Sequence, residues 1–253
     1  PGSDAKINKF AIVIDSGVAQ LSDFNINNVG SNDFNSNKLS YSFVDSDFDG
    51  QFKDENPFQD DNGHGTHVAG TIAAKADGKG VVGVAPGAEV ISLKVFGASG
   101  STTIDTIMSA VDQAVGYIKN DSYTNAEGVT FDTSALNFNN TVINMSLGGG
   151  YYQPLINKID TAAKDGVKFA IAAGNSNKDV DTVSPAASGQ EANVYTISAV
   201  DKKYKMASFT NWDDDATGTA SDDVDFAGPG VNVLSYINAQ GQLDWWSGTS
   251  MAT

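Results

Sequence analysis

The sequence contains no cysteine and no arginine, and it has no long apolar run. Without cysteine the chain cannot form disulfide bonds, thiolate nucleophiles or cysteine-ligated zinc sites. Without arginine it lacks the bidentate guanidinium groups that recognise phosphates and bases, and its net charge of −16 repels polyanions. No segment approaches the roughly 18–20 apolar residues that a membrane-spanning helix needs. We therefore expect no nucleic-acid partner and no membrane partner.

The composition is that of a folded protein. The chain has 253 residues, of which 40% are hydrophobic and 18% are charged, so a sizeable buried core is expected. No linker-like stretch divides the chain, and we predict one domain over residues 1–253. The first residues, Pro1–Asp4, lack the basic and apolar regions of a signal peptide, so any targeting segment is expected to be absent from this chain.

Short β-branched runs alternate with helical patterns along the chain. This alternation predicts an α/β fold with an open, mostly parallel, twisted sheet and helices on both faces. The predicted strands cover residues 10–14, 90–95, 141–145, 167–173, 194–200 and 231–234. The predicted helices cover residues 64–76, 104–118 and 155–165.

Polar residues follow several of the predicted strands directly. Asp15 comes after the first strand, residues 146–150 follow the strand at 141–145, and Asn175 follows the strand at 167–173. Ligands of open α/β sheets gather at the carboxyl ends of the strands. The placement of these residues therefore predicts a functional site at that edge of the sheet.

Asp15, His64 and Ser250 together have the make-up of a catalytic triad. A serine hydroxyl is a poor nucleophile unless a base stands beside it, and imidazole titrates near neutrality and supplies that base. A buried carboxylate then fixes the tautomer of the imidazole and stabilises the imidazolium. We interpret Ser250 as the nucleophile, His64 as the general base and Asp15 as its partner.

Five segments resemble the subtilase family of serine peptidases. They occur in the family's order and cover residues 15–17, 62–70, 144–149, 172–175 and 248–253. The resemblance runs from about Lys6 to the last residue and includes the Asp–His–Ser order of the triad. It implies a serine endopeptidase that hydrolyses peptide bonds through an acyl-enzyme.

Each of these residues also has a simpler interpretation. Asp15 alone could be a turn residue, and Ser250 alone could be an ordinary helix N-cap. His64 and His67 could form a metal-binding pair, but the chain has no HExxH glutamate. In the family, the residue at the position of His67 is structural.

The resemblance also implies an oxyanion hole and a substrate cleft. The side-chain amide of Asn175 and the backbone N–H of Ser250 are the expected oxyanion donors, with Thr249 as a support. Small, glycine-rich walls imply broad specificity with a preference for large apolar residues before the scissile bond. The implied substrate-binding residues are Gly100, Ser101, Thr102, Ile104, Ser146, Leu147, Gly148, Ala172, Ala173 and Gly174.

Residues 45–50 match the first half of an EF-hand loop. Asp45, Asp47 and Asp49 supply oxygen atoms at alternate positions and Gly50 lies at the bend. The twelfth position, however, holds Asn56 rather than a glutamate. The segment is therefore either a structural calcium site or a solvated acidic loop.

Further calcium ligands are implied by the resemblance. The loop at residues 75–81 corresponds to the position where subtilisins hold a tight structural calcium, with ligands also drawn from elsewhere in the chain. The ligands implied for this calcium are Asp23, Lys75, Asp77, Lys79 and Val81. The resemblance implies a second, weaker calcium position at Asp225.

The resemblance implies a long helix after Ser250 and further core elements, which this chain does not contain. Either a second chain carries the rest of the fold, or the chain is a truncated piece. The competing functional class is then an inactive fragment that binds peptides or complements a second chain. The family also implies an extracellular, secreted enzyme whose signal and pro-segment lie outside this chain.

Overall fold

A computed structural model describes residues 7–26, 39–44, 56–213 and 223–253. The described residues fall into two compact units. Unit 1 holds those up to Val142 together with Ser235–Asp244, and unit 2 holds those of Ile143–Leu234 together with Trp245–Thr253. The single-domain prediction stays a prediction.

Strands and helices alternate along most of the described chain. The helices are α1 (His64–Ala73), α2 (Ile104–Lys119), α3 (Gln153–Lys164) and α4 (Thr249–Ala252). The strands are β1 (Phe10–Asp15), β2 (Asn25–Ile26), β3 (Tyr41–Ser42), β4 (Glu89–Lys94), β5 (Ser122–Thr124), β6 (Thr130–Asp132), β7 (Thr141–Met145), β8 (Gly149–Gly150), β9 (Lys168–Ala172), β10 (Val183–Ser184), β11 (Val194–Val200), β12 (Phe226–Pro229), β13 (Val233–Tyr236) and β14 (Leu243–Trp246). Two short 3₁₀ helices lie at Val180–Thr182 and Ala186–Ser188.

The sheet of unit 1 is built around β4, which pairs in parallel with β1, β2 and β3. Every residue of β1 is buried, as expected for a strand of a parallel sheet that is covered on both faces. Its register places Phe10 opposite Glu89 and Asp15 opposite Lys94. The apolar run therefore ends with the carboxylate of Asp15 inside the protein.

In unit 2, β11 pairs in parallel with both β9 and β12, and β7 lies next to β9. Helix α3 buries Leu155, Ile156 and Ile159, which recur at the three- to four-residue spacing of an amphipathic helix. Parallel strands alternating with helices confirm the predicted α/β fold.

The differences from the predicted elements have local causes. Helix α1 ends at Ala73 rather than residue 76, because Ala74 has an extended backbone with ψ of 137°. Strand β13 begins at Val233 because Asn232 has a left-handed φ of 54°, which interrupts a strand. The antiparallel pair β5–β6 was not predicted, since strands of three residues are too short to show a period.

None of the helices in the described part of the chain is both long and apolar enough to span a membrane.

Candidate active site

The carboxylate of Asp15 holds the imidazole of His64. Nδ1 of His64 lies 2.8 Å from Oδ1 and 3.0 Å from Oδ2 of Asp15, which is fully buried at the end of β1. The backbone N–H of Ser16 also donates to Oδ1 of Asp15, at 2.7 Å. In the neutral imidazole, this contact favours the tautomer in which Nδ1 carries the proton and donates it in a hydrogen bond to Asp15. Nε2 is then unprotonated and has the lone pair that a base needs.

Two glycines allow β1 and α1 to approach closely enough for this contact. Gly17 has a φ of 110°, and a Cβ there would lie 2.5 Å from the carbonyl oxygen of Gln59. A Cβ on Gly65 would lie 2.1 Å from the carbonyl oxygen of Gly17. Neither position has room for a side chain, which explains the glycines that flank the Asp15 and His64 motifs.

Asp60 fixes the start of helix α1, a role that the sequence analysis missed. Its Oδ1 accepts hydrogen bonds from the Ser16 hydroxyl and the Gly63 N–H, both at 2.8 Å. Its Oδ2 accepts from the N–H and the hydroxyl of Thr66, at 2.8 and 2.6 Å. The N-cap residue, Gly63, has no side chain to satisfy these donors. A glycine at the cap position, three residues after the first of two consecutive aspartates, was the signal available in the sequence.

The surroundings of His64 change its pKa in two directions. Burial by itself lowers the pKa of His64, whereas the charge and hydrogen bond of Asp15 and the charge of Asp60 raise it. The net effect is a pKa of His64 above the ordinary imidazole value.

His67, the second histidine, is fully buried, and its carbonyl oxygen accepts a hydrogen bond from the hydroxyl of Ser235 at 2.8 Å. This placement fits the structural interpretation of His67.

Lys94 is a second unpredicted residue beside Asp15. Its amine is completely buried and donates to the carbonyl oxygens of Ser16, at 2.6 Å, and Phe96, at 2.9 Å. These bonds tie together the two chain segments that leave the paired strands β1 and β4. The amine therefore supports the backbone on which Asp15 lies.

In unit 2, Ser250 is the second residue of helix α4. Its hydroxyl donates to the carbonyl oxygen of Ser146 at 3.1 Å, and the hydroxyl of Ser146 donates back to the carbonyl oxygen of Ser250 at 3.1 Å. The reciprocal pair joins α4 to the segment that follows β7. Ser250 is 9% exposed, so its hydroxyl lies at the margin of the interior.

The side chain of Asn175 is oriented by Thr249. Oδ1 of Asn175 accepts hydrogen bonds from the N–H of Thr249, at 2.8 Å, and from its hydroxyl, at 3.0 Å. The Thr249 hydroxyl accepts in turn from the N–H of Gly174 at 3.1 Å. With Oδ1 engaged, the Nδ2 end of the amide is directed away from Thr249.

Two hydrogen-bond donors lie near the position that a side chain at Gly248 would occupy. A Cβ built on Gly248 would lie 3.5 Å from Nδ2 of Asn175 and 3.8 Å from the backbone nitrogen of Ser250. A side chain there would therefore occupy the space between the two donors. The arrangement has the donors that an oxyanion hole requires.

Unit 2 contains a cleft of about 350 Å³. It brings together the predicted wall residues with Asn175, Thr249 and Ser250. The antiparallel pair β8–β10 contributes to the same cleft. The residues that line it are Ser146, Leu147, Gly148, Gly149, Gly150, Ala172, Ala173, Gly174, Asn175, Ser176, Lys178, Val183, Ser184, Ala186, Asn211, Thr249 and Ser250.

The other predicted substrate residues lie in unit 1. Gly100, Ser101 and Thr102 precede helix α2, and Ile104 is its first residue. Gly100 has a φ of 68° and closes a turn by donating its N–H to the carbonyl oxygen of Gly97 at 3.0 Å. Within the described ranges, residues 100–102 have no strand partner.

Asp23 is the most informative of the predicted calcium ligands. It is 6% exposed, and its carboxylate interacts with the hydroxyl of Tyr236, whose pKa is raised by burial and by the hydrogen bond and charge of Asp23. Its carbonyl oxygen accepts from the N–H of Lys75 at 3.0 Å, which places Asp23 beside the 75–81 loop. A buried carboxylate that one hydroxyl alone stabilises is costly unless a cation neutralises it.

The rest of the 75–81 loop offers fewer ligands. Oδ1 of Asp77 accepts from the N–H of Lys79 at 2.9 Å, and the Lys79 amine lies 3.9 Å from Oδ2. The Lys75 amine donates to the carbonyl oxygen of Ser22 at 2.6 Å. Val81 is half-buried in the same loop.

The remaining calcium predictions separate into two groups. Oδ2 of Asp225 accepts a hydrogen bond from the N–H of Thr196 at 2.8 Å, and the side chain is exposed. Asp45, Asp47 and Asp49 lie outside the described residues. Over the described ranges, no three acidic or histidine side chains form a group that could hold a metal ion.

Asp15 and His64 in one unit, with Ser250 and Asn175 in the other, are the residues that the sequence analysis predicts for a serine peptidase. Comparison with known proteins agrees, since the profile described as "Subtilase family" matches residues 11–253. The chain belongs to the subtilase family.

Individual relatives support this assignment. The chain is 36% identical over 195 residues to cerevisin of Saccharomyces cerevisiae, covering 77% of this chain and 27% of cerevisin. It is 37% identical over 194 residues to a cuticle-degrading serine protease of Arthrobotrys oligospora, covering 76% and 39%. The structure of a cold-adapted subtilisin-like serine proteinase aligns with a TM-score of 0.69 and 31% identity, covering 96% of this chain and 70% of that chain. The subtilisin-like fold is thereby confirmed.

The chain spans less than half the length of the two curated relatives described above. These comparisons give no support to a second chain that completes the fold.

Proposed function

We propose that this chain is a serine endopeptidase that acts through an acyl-enzyme. His64 takes the proton of the Ser250 hydroxyl, and Ser250 attacks the peptide carbonyl. Asp15 stabilises the resulting imidazolium, and His64 then passes the proton to the leaving amine. Water attacks the acyl-enzyme with His64 again as the base, which releases the acid product and restores Ser250.

The observation that carries this proposal is the contact of 2.8 Å between Asp15 and Nδ1 of His64. A carboxylate that is fully buried and bonded to an imidazole fixes one tautomer, which is the arrangement that general-base catalysis by Nε2 needs. The anchoring of Asn175 by Thr249 supports the same reaction, since it directs an amide donor toward a developing oxyanion. The proposal that His64 takes the proton of Ser250 is based on the identity and order of the motifs that contain these two residues.

Covalent labelling tests the proposal. Phenylmethylsulfonyl fluoride is expected to modify one serine, which peptide mapping identifies as Ser250, with loss of peptidase activity in proportion to labelling. Ser250→Ala is expected to remove both labelling and turnover, and Ser134→Ala, an exposed control, to remove neither. A folded chain that binds a peptide but is not labelled would instead be a non-catalytic, peptide-binding fragment.

We further propose that the cleft of unit 2 accepts a large apolar side chain before the scissile bond. Glycine and alanine form much of its walls, and no carboxylate lines it among the described residues. Gly100, Ser101, Thr102 and Ile104 are proposed as a second edge for the substrate backbone, in the manner of an added β-strand. Peptides that differ only at this residue test the preference, with phenylalanine or leucine expected to exceed lysine and aspartate in kcat/KM.

Calcium is proposed as a structural ion that Asp23 would bind, with Asp77 and the carbonyl oxygens of Lys75, Lys79 and Val81 as further ligands. The burial of the Asp23 carboxylate beside the 75–81 loop supports this proposal. Calcium favours six to eight oxygen ligands, including carbonyls, so a loop of this kind suits it better than magnesium. Asp225 and residues 45–49 stay as weaker candidates.

An extracellular location is also proposed. One of the relatives is named for the degradation of cuticle, a substrate outside the cell. Peptidase activity in the culture medium, labelled as above, would support this location, whereas activity confined to washed cells would contradict it.

A further inference from the structure

Lys178 is the one charged residue that borders the cleft of unit 2 within the described ranges. All the other lining residues are glycine, alanine, leucine, valine, serine, threonine or asparagine, which carry no charge. Lys178 comes three residues after Asn175, on the loop that leaves β9. The sequence analysis did not include it among the substrate-binding residues. In a cleft with neutral walls, a single ammonium group distinguishes ligands by their charge.

The backbone of Lys178 is held on both sides. Its N–H donates to Oδ1 of Asn211 at 3.2 Å, and its carbonyl oxygen accepts from the N–H of Trp212 at 3.1 Å. The same Oδ1 accepts from the N–H of Ser176 at 2.9 Å, and Nδ2 of Asn211 donates to the carbonyl oxygen of Ala173 at 2.8 Å. Asn211 is 1% exposed, so these bonds are shielded from water. The side chain of Lys178 therefore extends from a fixed point beside the cleft.

The ammonium group of Lys178 is available to a ligand. The side chain is exposed, and no carboxylate of the described residues forms an ion pair with it. Lys164, by contrast, is paired with Glu191 at 2.7 Å. Oδ1 of the neighbouring Asp179 is engaged by the backbone N–H of Asp181 at 3.0 Å. A lysine side chain is flexible, so its charge can follow a carboxylate that enters the cleft.

We propose that Lys178 makes the cleft select for a carboxylate on the substrate residue before the scissile bond, so that glutamate is preferred to glutamine and to lysine. This inference rests on the proposed peptidase function and specifies its substrates further. The methylene groups of glutamate contact the glycine and alanine walls, and its carboxylate pairs with the ammonium of Lys178. A local cation is needed for this preference, because the net charge of −16 repels anionic substrates. Large apolar residues keep their advantage, since they bring no charge that must be desolvated.

Kinetics with acetyl-tetrapeptide p-nitroanilides that differ only in the last residue test the role of Lys178. The value of kcat/KM for glutamate is expected to exceed that for glutamine, an uncharged side chain of the same shape, by about two- to fivefold at low salt, which is the range of an exposed ion pair. The ratio is expected to approach one at high salt, because mobile ions screen exposed charges. A ratio of one or less at low salt would overturn the proposal.

Variants locate the source of the preference. Lys178→Met keeps a long side chain without the charge, and the ratio of glutamate to glutamine is expected to fall to one or below. Lys178→Glu reverses the charge, so the lysine peptide is expected to be cleaved faster than the glutamine peptide. Lys202→Met, at an exposed lysine of unit 2 that does not line the cleft, is the matched control and is expected to keep the wild-type ratio. An unchanged ratio in Lys178→Met would exclude Lys178 as the cause.

Peptide binding separates this inference from the proposed function. In calorimetry on the full chain carrying Ser250→Ala, the glutamate peptide is expected to bind more tightly than the glutamine peptide by a similar factor, and the further change Lys178→Met to remove the difference. A chain that shows this difference but cleaves no peptide would support the role of Lys178 and contradict the peptidase. A chain that cleaves the leucine peptide but treats glutamate and glutamine alike would do the opposite. Absence of both binding and cleavage would overturn both.

Discussion

Asp60 binds Thr66 through both the backbone N–H and the hydroxyl, at 2.8 and 2.6 Å, and so caps the helix that begins at His64. The other oxygen of Asp60 binds Ser16, the residue next to Asp15. One carboxylate thus joins the two chain segments that carry the base and its partner. Its negative charge also raises the pKa of His64.

Replacing Asp60 tests both of these effects. In Asp60→Asn the charge is lost, so the acid limb of the kcat/KM profile is expected to move to lower pH as the pKa of His64 falls. In Asp60→Ala the cap is lost as well, which costs on the order of 0.5–2 kcal/mol of stability and is measured by thermal unfolding. Asp61→Asn, at the exposed neighbouring position, serves as the control. A pH profile that is identical in Asp60→Asn and the wild-type chain would remove the electrostatic role.

The pH dependence of the unmodified chain follows from the raised pKa of His64. A general base must be neutral, so turnover is expected to fall as the pH drops through a value above about 6.5. The chain has two histidines, so proton NMR can follow His64 directly after assignment with His64→Gln. Constant activity down to pH 4 would be incompatible with His64 as the base.

The raised pKa of His64 also affects the free energy of unfolding. This contribution to stability decreases as the pH rises, whereas the activity increases. A pKa that is raised in the folded state contributes stability that is fully present below the unfolded value of about 6.5 and is lost as the pH rises through the folded pKa. The difference in unfolding free energy between the wild-type chain and His64→Gln is therefore expected to shrink between pH 5 and pH 9. Denaturant unfolding at several pH values measures it, and a difference that grows with pH would contradict the Asp15–His64 pair as its source.

Asn175 offers a test of the oxyanion donors. Asn175→Asp retains the oxygen that Thr249 binds but loses the Nδ2 donor. We therefore expect kcat to fall by about 10²–10³-fold with little change in KM. This is the loss in kcat that removal of such a donor causes in subtilisin itself. Thermal stability is expected to stay near that of the wild-type chain. Asn175→Ala loses the bonds to Thr249 as well and is expected to unfold at a lower temperature. Asn157→Asp, exposed on α3, is the matched control. Full activity in Asn175→Asp would exclude this amide from the reaction.

Removal of calcium is expected to lower the melting temperature. An ion bound only by the folded state stabilises it by about 2.7 kcal/mol at 100 times Kd. For a chain of this length that is several degrees. Calcium is expected to restore the lost stability better than magnesium, and Asp23→Asn to abolish most of the response, whereas Asp121→Asn retains it. A metal-stripped chain whose unfolding is the same with chelator and with calcium would mean that Asp23 binds no ion.

The amino-acid sequence by itself determined the α/β class, three of the four described helices, the described strands of five or more residues, and the identity of the triad candidates. Strands β7 and β11 have their predicted bounds because β-branched apolar runs have a strong local preference for buried strands. The motifs around Asp15, His64 and Ser250 were recognisable because their residue types and order carry the chemistry. These are features of short segments.

Contacts between distant segments were decided only by the tertiary structure. Asp60 and Ser16 are 44 residues apart, and Thr249 and Asn175 are 74 apart, so no local pattern relates them. The burial of Asp23 likewise depends on where the 75–81 loop packs. Hydrogen bonds and charge act over a few ångströms of space, and that proximity arises only when the chain folds.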